Sequence, residues 1–129
     1  MTGESFGAGV RRLVAWVCVG AAFAASAASA QGVAGNYRVA GTNMDGSAYS
    51  GTVQIVDTSR DTCRIAWSTG GTTARGICMR SGNVLSAAYS MGQQIGLVIY
   101  AIRSDGTLDG QWTVADQRGV GTEKLTPTR

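Results

Sequence analysis

Polar and apolar residues alternate along short stretches of this sequence, and glycine, asparagine, aspartate and serine cluster between the stretches. Alternation with a period of two is typical of a β-strand with one buried face, whereas an amphipathic helix repeats its apolar residues every three or four positions. Between residues 31 and 129 we find no sustained stripe of the helical kind. The pattern predicts eight strands, at about 36–40, 49–56, 62–68, 73–79, 84–90, 95–102, 107–114 and 120–125.

The connections between these predicted strands are short, which favours an antiparallel meander in which each strand pairs with the next. Eight such strands close into an up-and-down β-barrel, and closure removes both exposed sheet edges. Glycine recurs inside the strands, for example at Gly51, Gly76 and Gly110, and marks bends or close packing in a strongly coiled sheet. We therefore predict an all-β fold, a small up-and-down β-barrel, with a two-sheet β-sandwich as the alternative.

The first thirty residues differ from the rest of the chain. A polar start ends in two arginines, an uncharged apolar run follows, and the small residues SAASA close the segment. This order is typical of a secretory signal peptide, whereas the alanine-rich run at 13–30 is weakly hydrophobic for a permanent membrane anchor. We predict a signal peptide at 1–30, a single all-β domain at 31–129, no stable membrane span after processing, and an exported protein that is periplasmic or secreted.

Composition and charge exclude several classes of function. Eleven lysines and arginines against eight aspartates and glutamates give a net charge of +3, and the basic residues are scattered. Nucleic-acid binding needs clustered positive charge, so we predict no nucleic-acid partner. The chain has no histidine, and two cysteines in the β-domain are too few ligands for a metal centre. We predict neither a metal nor a cofactor.

The stretch CRIAWSTGGTTARGIC contains both of those cysteines, Cys63 and Cys78, at equal distances from its central glycine pair. In a hairpin that turns at the glycines, the two cysteines lie directly opposite each other. A four-residue TGGT loop places them at a non-hydrogen-bonded position, where Cα atoms are about 4.5 Å apart, so we expect that loop. A redox pair is usually C-x-x-C. We predict a structural disulfide formed in an oxidising compartment.

The same hairpin register assigns residues to two faces. Ile65 and Trp67 share the face of the cysteines, opposite the small residues Gly76 and Ala74. Large residues opposite small ones are what a packed interior needs. We therefore expect the disulfide to point into the core, with Trp67 nearby.

No catalytic constellation is visible in the sequence. A nucleophile needs a base, and without histidine the only lysine, Lys124, would have to serve from a position that we expect to face solvent. Most aspartates lie in turn clusters, where aspartate bonds to its own backbone. Glu123 lies two positions before Leu125 and therefore on the same face of the strand. It either points inward, which requires an arginine or hydroxyl partner, or lies at the barrel rim near Arg118 or Lys124. We predict that the protein is not an enzyme.

A ligand cavity is the remaining kind of site. Small eight-stranded barrels either fill with side chains or hold one small ligand. Alternation predicts that four aromatic residues point inward, and Glu123 joins them as a candidate ligand-facing residue; the orientations of Tyr89 and Tyr100 stay open. The short strands favour a filled interior, in which these residues are core. The inward aromatic candidates are Tyr37, Tyr49, Trp67 and Trp112.

Long stretches of the β-domain carry a family resemblance. They are GNYRVAGTNMDGSAYSGTVQI, CRIAWSTG, ARGICM and GLVIYAIRSDGTLDGQWTVADQRGVGTEKLTP, with the patterns I-x-W and dG-x-L-x-G-x-W and both cysteines. The chain resembles a family of small exported alphaproteobacterial proteins often labelled "fibronectin-binding protein". The resemblance implies a non-catalytic binding or adhesion module whose partner is an extracellular protein such as fibronectin, and it assigns no binding residues. The alternative is a small-molecule carrier with its ligand in the barrel interior.

Overall fold

A computed structural model describes Gly3 and residues 32–128, and the predicted signal peptide lies outside these residues apart from Gly3. The described chain forms eight β-strands, each close to a stretch that the alternation predicted. They are β1 (Gly35–Thr42), β2 (Ala48–Asp57), β3 (Thr62–Thr69), β4 (Thr72–Ser81), β5 (Val84–Met91), β6 (Gln94–Ile102), β7 (Leu108–Val114) and β8 (Gly121–Pro127).

Every strand pairs antiparallel with the next one, and β8 returns to pair with β1. The closing ladder places Val39 opposite Leu125 and Gly41 opposite Glu123. The sheet is therefore a closed barrel, which confirms the predicted up-and-down meander and excludes the two-sheet sandwich. Closure leaves no unpaired strand edge among the described strands.

One end of the barrel is filled with side chains. It is the end at which the chain enters β1, and it also carries the β2–β3, β4–β5 and β6–β7 connections; we call it the closed end. Ile55, Leu85 and Leu108 are almost completely buried there. Val33 precedes β1 and packs into the same core, where its carbonyl accepts a hydrogen bond of 2.5 Å from the hydroxyl of Tyr37.

The β3–β4 hairpin carries the predicted disulfide. Cys63 and Cys78 are directly paired, are joined by a disulfide with Cα atoms 4.9 Å apart, and are both buried. Ile65 faces Gly76 and Trp67 faces Ala74, as the register predicted.

The predicted four-residue loop in this hairpin is wrong, because Thr69 pairs with Thr72 and only Gly70 and Gly71 lie between the strands. Both glycines have positive φ, at 54° and 79°. A two-residue hairpin loop of type I′ requires positive φ at both central positions, and two glycines adopt it without steric cost.

Glycines inside the strands make room for aromatic rings on the neighbouring strand. At four of the strand glycines, an added Cβ atom would overlap the ring of the residue directly opposite. Each ring therefore lies flat across the adjacent strand, a packing that shields the glycine backbone and permits strong local curvature. The four pairs are Tyr49 on Gly41, Tyr89 on Gly96, Tyr100 on Gly110 and Trp112 on Gly121.

Removing the disulfide should destabilise the barrel. The bridge spans a sequence separation of 15. In the chain-entropy account a loop of about 15 residues contributes about 3 kcal/mol. We expect the free energy of unfolding in urea to fall by about that amount when dithiothreitol is added. The double variant Cys63→Ala/Cys78→Ala is the control and should not respond to the reductant. Equal stability of the wild type with and without reductant would contradict the structural role.

Substitution of Gly76 should cost more stability than substitution of Gly96. A Cβ at Gly76 would meet the backbone carbonyl of Ala88, which the β4–β5 ladder holds in place, whereas one at Gly96 would meet the ring end of Tyr89. Overpacking of this kind costs about 1–3 kcal/mol, and a ring end can swing aside where a paired backbone cannot. Urea unfolding of Gly76→Ala and Gly96→Ala measures the difference; a neutral Gly76→Ala would refute this steric account.

Candidate functional site

The interior is open at the other end of the barrel, which carries the β1–β2, β3–β4, β5–β6 and β7–β8 connections and which we call the hairpin end. A cavity of about 290 Å³ lies there. The predicted filled interior therefore holds for the closed end only. The cavity is lined by aromatic residues (Tyr49, Trp67, Tyr89, Trp112), apolar residues (Ala74, Met91, Val98, Val114), polar residues (Asn43, Thr69, Thr72), Gly70 and Glu123.

Two aromatic pairs form opposite walls of this cavity. Trp67 on β3 and Tyr89 on β5 are tilted against each other with ring centroids 5.2 Å apart, beside β4. Tyr49 on β2 and Trp112 on β7 meet edge to face at 6.2 Å, across β1 and β8. Since β4 and β8 lie opposite each other in an eight-stranded ring, the two pairs face each other across the cavity.

Glu123 on β8 lies inside the barrel, with only 7% of its surface exposed. Its Oε1 accepts hydrogen bonds from the Tyr100 hydroxyl and, at 3.0 Å, from the indole N–H of Trp67. Its Oε2 accepts one at 2.8 Å from the Tyr49 hydroxyl. An ionised carboxylate has about four acceptor positions, so three donors leave Oε2 able to accept one more hydrogen bond.

This arrangement decides between the two positions expected for Glu123: it points inward, and the rim position beside Arg118 or Lys124 is wrong. Both basic side chains are exposed, and Glu123 has hydroxyl and indole partners instead. The inward orientation follows from the alternation that buries Leu125 on the same strand.

Burial and the Glu123 charge alter the acidity of the tyrosines around the cavity. Burial, followed by the Glu123 charge, raises the pKa of Tyr89 to about 12. The same two causes, in the same order and joined by the hydrogen bond to Glu123, raise the pKa values of Tyr49 and Tyr100 above the usual range. All three hydroxyls stay protonated at neutral pH. Those of Tyr49 and Tyr100 donate hydrogen bonds to the carboxylate, whereas that of Tyr89 donates to the backbone carbonyl of Thr113 at 3.0 Å.

The structure brings most of the sequence-predicted candidates together. Tyr49, Trp67, Trp112 and Glu123 line one cavity, whereas Tyr37 belongs to the closed end and is bonded to the carbonyl of Val33. The indole nitrogen of Trp112 is buried and has no acceptor at good hydrogen-bond geometry within the described residues.

Tyr89 and Tyr100 are the site residues whose orientation the sequence left open. Both point inward, and Tyr100 is completely buried. For Tyr100, the alternation of apolar and polar residues did not show the orientation. The outward positions of β6, Ile95, Leu97 and Ile99, are as apolar as its inward ones. A usable signal was present in the glycines that face these two tyrosines on the neighbouring strands.

The outer face of the barrel carries an exposed apolar surface on β4 and β6. Ile77 and Leu97 flank Ala88 in one row across β4, β5 and β6, and Met79 and Ile99 flank Ser86 in the next. These aliphatic side chains are 58–70% exposed. A contiguous apolar surface of this kind on a soluble domain is typical of a contact site. We call these four residues, Ile77, Met79, Leu97 and Ile99, the outer apolar face.

Two kinds of feature are absent from residues 32–128 and Gly3. No helix in this part of the chain has the length and hydropathy needed to cross a bilayer. No group of three or more histidine, cysteine, aspartate or glutamate side chains lies close enough together there to hold a metal ion.

The fold and cavity define the class: an eight-stranded antiparallel barrel with an opening at one end. The sequence matches no protein-family model. It matches no curated protein either. Solved structures of similar fold include a redesigned β-barrel, b11L5F_LGL, with a TM-score of 0.66, 17% identity, and coverage of 75% of this chain and 92% of that chain.

Two other solved structures share this fold. The redesigned barrel mFAP1, bound to DFHBI, has a TM-score of 0.64 and 20% identity over 73% of this chain and 94% of its own. The fatty acid transporter REP1-NXSQ has a TM-score of 0.51 and 16% identity over 75% of this chain and 96% of its own. At these identities the likeness establishes the shared barrel fold alone.

Alkaline pH should destabilise the barrel over a defined range. The pKa values of all four tyrosines are raised from the ordinary value of 10.0, to about 12 for Tyr89. A raised folded-state pKa contributes stability that is full below pH 10 and is lost as the pH rises through the folded value. We expect the free energy of unfolding to fall above pH 10, and less steeply in Tyr89→Phe. Tyrosinate absorbance near pH 10 in a chain that is still folded would contradict this expectation.

Proposed function

We propose that this protein binds a small molecule in the cavity at the hairpin end and acts as a carrier. The proposal rests on the difference between the two ends of the barrel interior. The closed end is filled by aliphatic side chains, whereas the hairpin end keeps an open cavity with four aromatic side chains and one carboxylate in its lining. Ligand pockets are typically concave and mostly apolar, with a few placed polar groups.

The size of the cavity limits the ligand. A volume of about 290 Å³ lies at the lower end of the range for small-molecule sites. Barrels of eight strands hold at most one small ligand when they are not filled by side chains. We therefore propose one ligand per barrel, with a compact body that contacts the rings of Trp67 and Trp112.

The structural neighbours are compatible with this proposal. One similar barrel is described as bound to DFHBI and another as a fatty acid transporter, so the same architecture serves small organic molecules in those proteins. These structures support a binding site in the barrel interior of this chain. They do not identify its ligand.

The Cys63–Cys78 disulfide supports an exported location. Disulfides persist in oxidising compartments and are rare where thiols are kept reduced. We propose that the carrier acts in the periplasm or outside the cell, in agreement with the signal peptide expected at 1–30.

The raised pKa values of the cavity tyrosines fit a binding role without catalysis. Catalytic acids and bases work best when their pKa values lie near the operating pH. The pKa of Tyr89 is raised to about 12, and those of Tyr49 and Tyr100 are also raised, which moves all three away from neutrality. That the protein is not an enzyme stays a prediction.

Adhesion to an extracellular protein such as fibronectin is the second candidate function, implied by the family resemblance. The outer apolar face supports it, because exposed apolar surface of this kind is typical of protein contacts. None of the compared structures bears on adhesion, and the candidate stays a prediction until retention of the chain on immobilised fibronectin is measured.

Filling the cavity should abolish binding. Ala74 lies opposite Trp67 and lines the cavity, so Ala74→Leu places a larger side chain in the open space. We expect the neutral dye Prodan to bind the wild type saturably with a blue shift in emission, and Ala74→Leu to weaken that binding about tenfold or more, a loss of about 1.4 kcal/mol.

The matched control is Ala40→Leu, the same substitution at an exposed position on the outer side of β1, away from the outer apolar face. It should leave Prodan affinity unchanged. Absence of saturable binding to the wild type, or equal loss of binding in both variants, would contradict the proposed carrier function.

A further inference from the structure

Among residues 32–128, Glu123 is the only acidic or basic side chain in the lining of the cavity apart from the tyrosines. Its three hydrogen-bond donors, Tyr49, Trp67 and Tyr100, are all neutral. An ion pair between Arg103 and Asp109 lies on the outer surface, and Lys124, next to Glu123 in the sequence, is exposed. The carboxylate is therefore solvated by hydrogen bonds, and no cationic side chain of residues 32–128 neutralises it.

A buried carboxylate without a cationic partner favours a positively charged ligand. Electrostatic interactions are strong where water is excluded, because the effective dielectric constant is low. Burial costs a charge its hydration, and an opposite charge in the same cavity compensates for that cost. The remaining acceptor position on Oε2 can bond directly to a cationic N–H donor or lie against a methylated ammonium group.

The aromatic walls also favour a positively charged ligand. The faces of aromatic rings carry negative partial charge, and tryptophan is the strongest partner for cations. Trp67 and Tyr89 form one wall, and Tyr49 and Trp112 form the other. A cation between the walls would contact rings on both sides and have the Glu123 carboxylate nearby.

We propose that the natural ligand is a small organic cation, an amine or quaternary ammonium group attached to an apolar or aromatic body. This inference rests on the proposed carrier function and specifies its ligand class. The apolar body contacts Val98 and Val114, and the cationic group lies beside Glu123 between the aromatic walls. Fatty acids and other carboxylates are excluded, since their charge would lie against that of Glu123.

Three isosteric probes test the charge preference directly. Benzyltrimethylammonium, neopentylbenzene and benzylsulfonate share a benzyl group with a bulky tetrahedral end, and they carry positive, zero and negative charge. We expect calorimetry and tryptophan fluorescence with the full chain to show that the cation binds about tenfold or more tightly than the neutral probe. Benzylsulfonate should bind more weakly than the neutral probe.

The variant Glu123→Gln keeps the size of the side chain and removes its charge. We expect it to bind benzyltrimethylammonium about tenfold more weakly and neopentylbenzene about as well as the wild type does. The matched control is Asp109→Asn, which removes a carboxylate on the outside of β7 and should change neither affinity. If Glu123→Gln does not fold, the comparison of the three probes on the wild type still decides whether the site prefers a cation.

The outcomes separate this inference from the carrier function. Equal binding of the cation and the neutral probe, or cation binding that is unchanged in Glu123→Gln, overturns the ligand class and leaves the carrier function standing. Failure of all three probes and of Prodan overturns both. Tighter binding of benzylsulfonate than of the cation also overturns the inference.

Discussion

Glu123 places a carboxylate inside a β-barrel, where it accepts hydrogen bonds from Tyr49, Trp67 and Tyr100 on three other strands. A buried charge is tolerated only when such partners surround it. The network joins β8 to β2, β3 and β6 across the interior, between the aliphatic core and the cavity. It therefore fixes the positions of Tyr49 and Trp67, one ring in each cavity wall. Among the described residues it also supplies the only negative side-chain charge in the cavity lining.

Steric pairing between rings and glycines explains how a chain of this size keeps an open cavity. Tyr89 and Trp112 lie across Gly96 and Gly121 on neighbouring strands, so the rings follow the wall. A ring that stood upright would fill the space. The same pairs allow the strong curvature that an eight-stranded barrel needs, which links closure of the sheet to the shape of the site.

Much of this fold follows from local rules. Alternation located all eight strands, and the position of the cysteines about a glycine pair predicted their register, because side chains in a strand alternate between faces. The loop length in that hairpin was missed, since positive φ at Gly70 and Gly71 decides it. The inward position of Glu123 was one of two alternatives, but the identity of its partners could not be predicted. They come from strands far away in the sequence, and no local pattern records which hydroxyls meet across a barrel.

The most direct test of a binding site at the hairpin end is a map of the residues that respond to ligand. Titration of the ¹⁵N-labelled chain with benzyltrimethylammonium should shift the indole N–H resonances of Trp67 and Trp112 saturably, with one affinity. The backbone amides of Tyr37 and Cys63 at the closed end should stay unchanged. Shifts confined to the outer apolar face, or saturable binding that leaves both indole resonances in place, would contradict a site inside the barrel.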